Sequence, residues 1–155
     1  MTDLTDLLLP ETVLERLPVA NKKALFQQLA IAGAAAYGLD SAAILDGLVG
    51  REKLGSTGFG GGVATPHARI AGLNHVVGIF ARLAQPIDFQ AVDDLPVDIV
   101  FALLSPLDAG ALHLKALARV SRRLRDRGFV DKLRGAASRD AIYALLTADE
   151  ARDAA

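Results

Sequence analysis

The chain contains no cysteine. Disulfides, thiolate metal centres and thiol nucleophiles are therefore excluded. It also lacks an excess of charge of either sign, with 17 Lys and Arg against 18 Asp and Glu and a formal net charge of −1. A dedicated nucleic-acid binder is usually clearly basic, so that class is set aside. No unbroken run of about 18 apolar residues occurs, and no membrane-spanning helix is expected. The opening stretch, MTDLTDLLLPETV, has no basic n-region, and its apolar run is too short for a secretory signal. The cytosol is the most economical compartment.

What remains is the composition of one folded domain. The chain has 155 residues, of which 52% are hydrophobic. A chain of that length buries about two-thirds of the surface its unfolded form exposes. Residues 12–17 (TVLERL) read as a short strand. Asn21 can cap a helix through Tyr37, with Leu25, Leu29, Ala32 and Ala36 on one face and Gly38 as its stop. A second helix begins at Ser41, places Ile44, Leu45, Leu48 and Val49 inward, and ends between Gly50 and Leu54, delivering Arg51 and Glu52 to the next loop.

Residues 76–83 (VVGIFARL) read as a strand, with a turn at Pro86, Ile87 and Asp88. Residues 97–104 (VDIVFALL) are apolar on both faces, as a central strand covered on two sides must be. Asp108 can cap a long helix to about Arg127. A short helix over FVDKL and a longer one capped by Ser138 follow. Strands separated by helices around a doubly buried strand predict a single α/β sandwich. The domain is expected over residues 4–147, with 148–155 a flexible tail.

Residues 55–70, GSTGFGGGVATPHARI, place five glycines in eight positions and then a histidine behind a proline. A phosphate cradle, a linker and a presented nucleophile are all compatible with glycine there. A Walker loop needs lysine where Gly61 stands. A dinucleotide fingerprint needs a third glycine where Val63 stands, after a strand rather than a helix. A linker would not return at once to β-type residues. Pro66 fixes its own φ and holds Thr65 extended, so His67 has fewer backbone states to lose when it is placed. His67 is then either a presented imidazole or an incidental histidine on a tight turn.

The other two histidines differ in setting. His113 forms a stripe with Leu117, Val120 and Leu124 and points inward. It is either a core histidine satisfied by one hydrogen bond or a neutral donor beside an anion near the start of its helix. His75, just before a strand, reads as a surface residue. No two histidines stand at i, i+4 and no acidic ligands accompany them, so a metal site is not expected. Arg51 either ends its helix as a favourable cation or swings toward an anion with its planar fork of donors. The run RRLRDR at 122–127 reads as the solvated face and last turn of a helix, with Leu124 inward.

Taken together, Arg51–Glu52, GSTGFGGGVATPHARI, PIDF followed by PVDIVFALLSP, and His113–Leu114 resemble the fructose/mannitol-type enzyme IIA family of the bacterial phosphotransferase system. The likeness is closest to its nitrogen-regulatory branch and runs over residues 4–147. It implies a mixed β-sheet flanked by helices on both faces. It also implies that His67 accepts a phosphoryl group on the ring nitrogen farther from the backbone, with Arg51 and His113 flanking that group. Two positions depart from the family pattern: Gly61 where asparagine is common, and Thr65 where isoleucine or leucine is common.

The implied activity is that of a phosphoryl carrier rather than a small-molecule enzyme. The donor would be a histidine phosphocarrier protein charged by a phosphoenolpyruvate-dependent enzyme I, and the targets regulatory partners such as transporters or kinases. Neither cofactor nor metal is required, because backbone amides of the glycine loop, Arg51 and a neutral His113 can share the phosphoryl charge. Two other roles follow from the same residues. One is an enzyme IIA that passes phosphate to an enzyme IIB for sugar uptake. The other is a binding module that transfers nothing.

Overall fold

A computed structural model describes residues 4–148. Two 3-10 turns, Thr5–Leu7 and Pro10–Thr12, lead into strand β1 (Val13–Leu17). Helices α1 (Lys22–Tyr37) and α2 (Ser41–Glu52) follow, then the short strands β2 (Gly58–Gly60), β3 (Val63–Ala64) and β4 (His67–Arg69). The long strands β5 (Val77–Ile87) and β6 (Val97–Ser105) precede helices α3 (Ala111–Arg125), α4 (Arg127–Gly135) and α5 (Arg139–Thr147). Among the described residues no helix is long and apolar enough to cross a membrane.

The sheet is mixed, in the order β1-β5-β6-β3-β2, with β4 also paired to β6. Strands β5 and β6 are antiparallel, whereas β1 runs parallel to β5 and β3 and β4 run parallel to β6. Helices cover both faces, as expected. Along β6, Val100, Ala102 and Leu104 pack with Leu25, Phe26, Leu29, Ile44 and Leu48 of α1 and α2. The alternating set Ile99, Phe101 and Leu103 packs with Val120, Leu124, Phe129, Leu133, Ile142 and Leu146 of α3, α4 and α5. Period-two alternation thus gives this one strand two cores, which is why its sequence is apolar throughout.

The caps at Asn21 and Ser138 and the stop at Gly38 form as their sequence signals indicate. Three boundaries differ. Asp108 does not cap α3: Ala109 N donates to Pro106 O and Leu112 N to Ala109 O, so turns occupy that stretch and Gly110 (φ 54°) opens the helix. Helix α3 stops at Arg125 rather than Arg127, because the Asp126 side chain accepts from Phe129 N and starts α4 instead. Strand β5 runs through Pro86 to Ile87, which pairs with Val97 across an irregular register. Proline is tolerated at such an interruption because no ladder donor is required of it there. The inward face of α1 is centred on Leu25, Phe26, Leu29, Ala30 and Gly33, rotated from the alanines at 32 and 36. Of the tail, the residues beyond Ala148 lie outside the described chain.

Candidate functional site

Strands β3 and β4 form one line along β6, interrupted by two residues, with β2 on the far side of β3. Val63 pairs with Ile99 and His67 with Leu103, the same offset on both sides of Thr65–Pro66. Pro66 has no N–H to give but its carbonyl accepts from Leu103 N, so the chain stays on the sheet. Across Pro66, His67 Nδ1 lies 2.9 Å from Thr65 O. A carbonyl can only accept, so Nδ1 carries the proton and Nε2 holds the lone pair. The contact uses the backbone of Thr65, so it does not depend on which side chain stands at that departure from the family pattern.

Arg51 reaches His67 from α2. Its Nε donates to His67 Nε2 at 3.1 Å, and its Nη1 donates to Gly55 O at 2.9 Å. Gly47 makes this reach possible. A Cβ there would lie 2.9 Å from the Ala68 Cβ, so only glycine lets α2 sit this close to β4. Arg51 is one helical turn further on and projects from the same face. The loop after α2 is tied down by Glu52, whose carboxylate accepts from Thr57 N (3.1 Å), Thr57 Oγ1 (2.6 Å) and Lys22 Nζ (2.8 Å).

His113 completes the cluster from α3. Its ring centroid is 5.2 Å from that of His67, and its Nδ1 lies 2.5 Å from Ser105 Oγ. His113 is buried with one hydrogen bond, as a core histidine would be, and it also stands beside His67. Both histidines are biased to the neutral form. Burial lowers the His67 pKa; the Thr65 contact pulls it back up in part, and the Arg51 cation lowers it further against a weaker upward pull from Glu52. Burial also lowers His113, helped by His67 and Arg69. Its place in the first turn of α3 further disfavours a cation.

The structure thus brings Arg51, His67 and His113 together. It does not bring the glycine turn with them. Gly58–Gly60 and Val63–Ala64 form a hairpin whose turn, Gly61–Gly62, has φ of 68° and 81°. Val63 sits four residues before His67 along the same line, about 13 Å at strand rise, and the turn lies beyond it. Gly61 N donates to Asp93 Oδ2 and Gly61 O accepts from Arg134 Nη2. The expectation that glycine amides share a charge at His67 is corrected for this turn; the glycine that touches the site is Gly55, through its carbonyl. His75 is exposed and pairs with Asn74. In the run 122–127, Leu124 is buried as expected, but so is Arg123, which stacks on Phe129 at 3.6 Å.

Sequence reasoning did not find Gly47, the Thr65 carbonyl or Ser105. Ser105 offered one signal, a small polar residue ending an apolar strand. The other two act through an absent Cβ and a backbone oxygen, which side-chain patterns do not display.

A mixed α/β sandwich with a neutral histidine held between an arginine and a second histidine is the setting of a phosphotransferase IIA domain. The family described as "Phosphoenolpyruvate-dependent sugar phosphotransferase system, EIIA 2" matches residues 6–149, and the chain belongs to it. Within that family it is 48% identical to the nitrogen regulatory protein of Bradyrhizobium diazoefficiens over 92% of this chain and 94% of that one. It is 35% identical to the nitrogen regulatory protein of Escherichia coli K12, over 95% and 91% of the two chains. The crystal structure of nitrogen regulatory protein IIA-Ntr from Neisseria meningitidis superposes with a TM-score of 0.86 at 34% identity, covering 92% of this chain and 97% of that one.

Proposed function

We propose that this protein is a cytosolic regulatory phosphoryl carrier of the nitrogen-related phosphotransferase system. His67 takes a phosphoryl group from the phosphohistidine of a carrier protein, and the presence or absence of that group is the signal read by partners such as transporters or kinases. The observation that carries the reading is the state of His67: a neutral ring whose Nδ1–H donates to the Thr65 carbonyl and whose Nε2 lone pair lies beside Arg51.

The step needs no proton transfer. The His67 Nε2 lone pair forms the new N–P bond as the donor's N–P bond breaks, and that electron pair stays on the donor's imidazole nitrogen. The Nδ1 proton stays on Nδ1, donated to the Thr65 carbonyl, throughout. Arg51 has to leave Nε2 as phosphorus arrives, and its planar fork then suits the phosphoryl oxygens. Transfer of this kind depends on in-line placement and charge stabilisation, which a cation and a neutral donor supply together.

A protein rather than a small molecule as donor is supported by what surrounds the site. Leu54, Leu107, Leu112 and Leu114, each within three residues of Arg51, Ser105 or His113 in the sequence, are 83%, 62%, 61% and 65% exposed. Apolar side chains left in water on the segments that carry a reactive group suit a docking partner. The wide cleft of about 730 Å³ between Phe59 and Arg134 contains none of the three site residues. Regulation rather than sugar uptake is supported by the regulatory relatives, which match over nearly the whole chain.

Incubation with phosphoenolpyruvate, enzyme I and a histidine phosphocarrier tests the reading. The expected result is an acid-labile mass gain of one phosphate that His67→Ala abolishes. A gain retained by His67→Ala would remove the acceptor assignment. No gain in the wild type from any such donor would leave the non-transferring binding module. Rapid onward transfer to a sugar-specific enzyme IIB would favour the uptake role.

A further inference from the structure

Ser105 ends β6 with its side chain fully buried, directly beneath His113. The contact between Ser105 Oγ and His113 Nδ1 admits two proton arrangements. Either Nδ1–H donates to the hydroxyl oxygen, or the hydroxyl donates to Nδ1 and the ring proton sits on Nε2.

The two differ in what is left unmatched. Among the described residues, Ser105 Oγ has no hydrogen-bond partner other than this nitrogen. If Nδ1 were the donor, the hydroxyl proton would be sealed in the interior without an acceptor, at the full cost of its desolvation. If the hydroxyl donates, its proton is satisfied and only spare oxygen lone pairs remain. His113 Nε2 makes no hydrogen bond within the described chain, and it is absent from the atoms buried without a partner, so it reaches the surface. A proton there is free to be donated outward.

We propose that Ser105 is a positioning residue that fixes His113 as the Nε2–H tautomer, making it a neutral hydrogen-bond donor toward a phosphoryl group on His67. This rests on the function proposed above. The two imidazoles then carry opposite tautomers. Thr65 O holds the proton of His67 on Nδ1 and leaves Nε2 as a lone pair for phosphorus, whereas Ser105 holds the proton of His113 on Nε2 for a phosphoryl oxygen. The rings stand 5.2 Å apart, centroid to centroid, close enough to serve one tetrahedral group. Before transfer neither ring is charged, which suits a site that already holds the Arg51 cation and feels the charge of Arg69.

Histidine-selective ¹⁵N labelling and multiple-bond ¹H–¹⁵N correlation spectra of the unphosphorylated protein at neutral pH read the tautomer directly. The expected His113 pattern is a protonated Nε2 and a hydrogen-bond-accepting Nδ1. In Ser105→Ala the two nitrogens should move toward the averaged shifts of mixed tautomers, and Ser105→Thr should restore the wild-type pattern. A protonated Nδ1 in the wild type, or an unchanged pattern in Ser105→Ala, overturns the proposal. Because the wild-type spectrum is itself decisive, a poorly folding alanine variant does not remove the test.

In the second measurement, Ser105→Ala should accept phosphate about tenfold more slowly or lose it about tenfold faster, the scale of one hydrogen bond to a charged group. Ser105→Thr should stay near wild type. Unchanged rate and lifetime despite an altered tautomer would overturn the role toward phosphate. If the wild type accepts no phosphate at all, the proposed function fails, and the tautomer is still decided by the spectra.

Discussion

Arg51 Nε sits 3.1 Å from His67 Nε2, on the very lone pair that would attack phosphorus. The resting site is thus closed by its own cation, which is at the same time hooked by Nη1 to the Gly55 carbonyl. The pairing orients the imidazole in the resting protein. Under the proposed function, an arriving phosphoryl group would compete for the guanidinium, offering charged oxygens in place of one neutral acceptor.

Removing that cation should have two effects that move together. Arg51→Ala is expected to slow phosphoryl acceptance about 10- to 100-fold, the scale of a charge-assisted hydrogen bond of about 1.5–3 kcal/mol. It should also raise the His67 pKa, because the Arg51 charge holds it down. Timed mass spectrometry reads the first and an NMR titration of the His67 ring the second. A slowed rate with an unmoved pKa would mean that Arg51 acts only on the phosphoryl group.

Gly47 should prove to be part of the site without touching it. In Gly47→Ala the new methyl meets the Ala68 Cβ at 2.9 Å and the Ile70 Cδ1 at 3.2 Å, so α2 must shift away from β4. Overpacking of this kind costs about 1–3 kcal/mol. Urea denaturation should show that loss, and the phosphorylation rate should fall as Arg51 is carried off His67. A stability loss without any change in rate would separate helix packing from the placement of Arg51.

Acid should weaken the fold through both site histidines, His113 buried and His67 half-buried. Each has a native pKa below the ordinary value of 6.5. Between the unfolded and native values the unfolded chain binds more protons, so stability falls as pH drops from about 6.5 through the lower native values. Denaturation midpoints measured over that window should decline more steeply in the wild type than in a His67→Gln, His113→Gln double variant. Parallel slopes would argue against the pair being held neutral in the folded protein.

The glycine turn should tolerate asparagine at one position and refuse a side chain at the next. At Gly61 the backbone is left-handed (φ 68°) and a Cβ would meet nothing within 4 Å. Asparagine is among the residues that accept this conformation, so Gly61→Asn is expected to change stability by less than about 1 kcal/mol and leave phosphorylation unchanged. At Gly62 (φ 81°) a Cβ would lie 2.5 Å from Arg134 Nη2 and 3.1 Å from Asp98 Oδ1, so Gly62→Ala should destabilise clearly. Thermal melts of the two variants provide the comparison.

The sequence by itself determined the two-sided β6, the helices capped at Asn21 and Ser138, and His67 as the residue to watch behind Pro66. These are local matters: side-chain periodicity, capping chemistry and the fixed φ of proline act within a few residues. It also marked Arg51 and His113, but left each with two readings, because whether a polar side chain meets an anion or merely ends a helix depends on what lies opposite. Tertiary structure supplied what lies opposite, which for both is His67. The parallel pairing of β4 with β6 and the close seat of α2 on Ala68 brought residues 51, 67 and 113 to one point. It also moved the glycine turn away from the histidine, because the common register of β3 and β4 on β6 holds them apart along one strand. The proton positions were decided at the same level, by a backbone carbonyl at Thr65 and a buried hydroxyl at Ser105. Neither partner is visible until the chain folds, since a hydrogen bond that fixes a tautomer depends on distance and burial rather than on residue type.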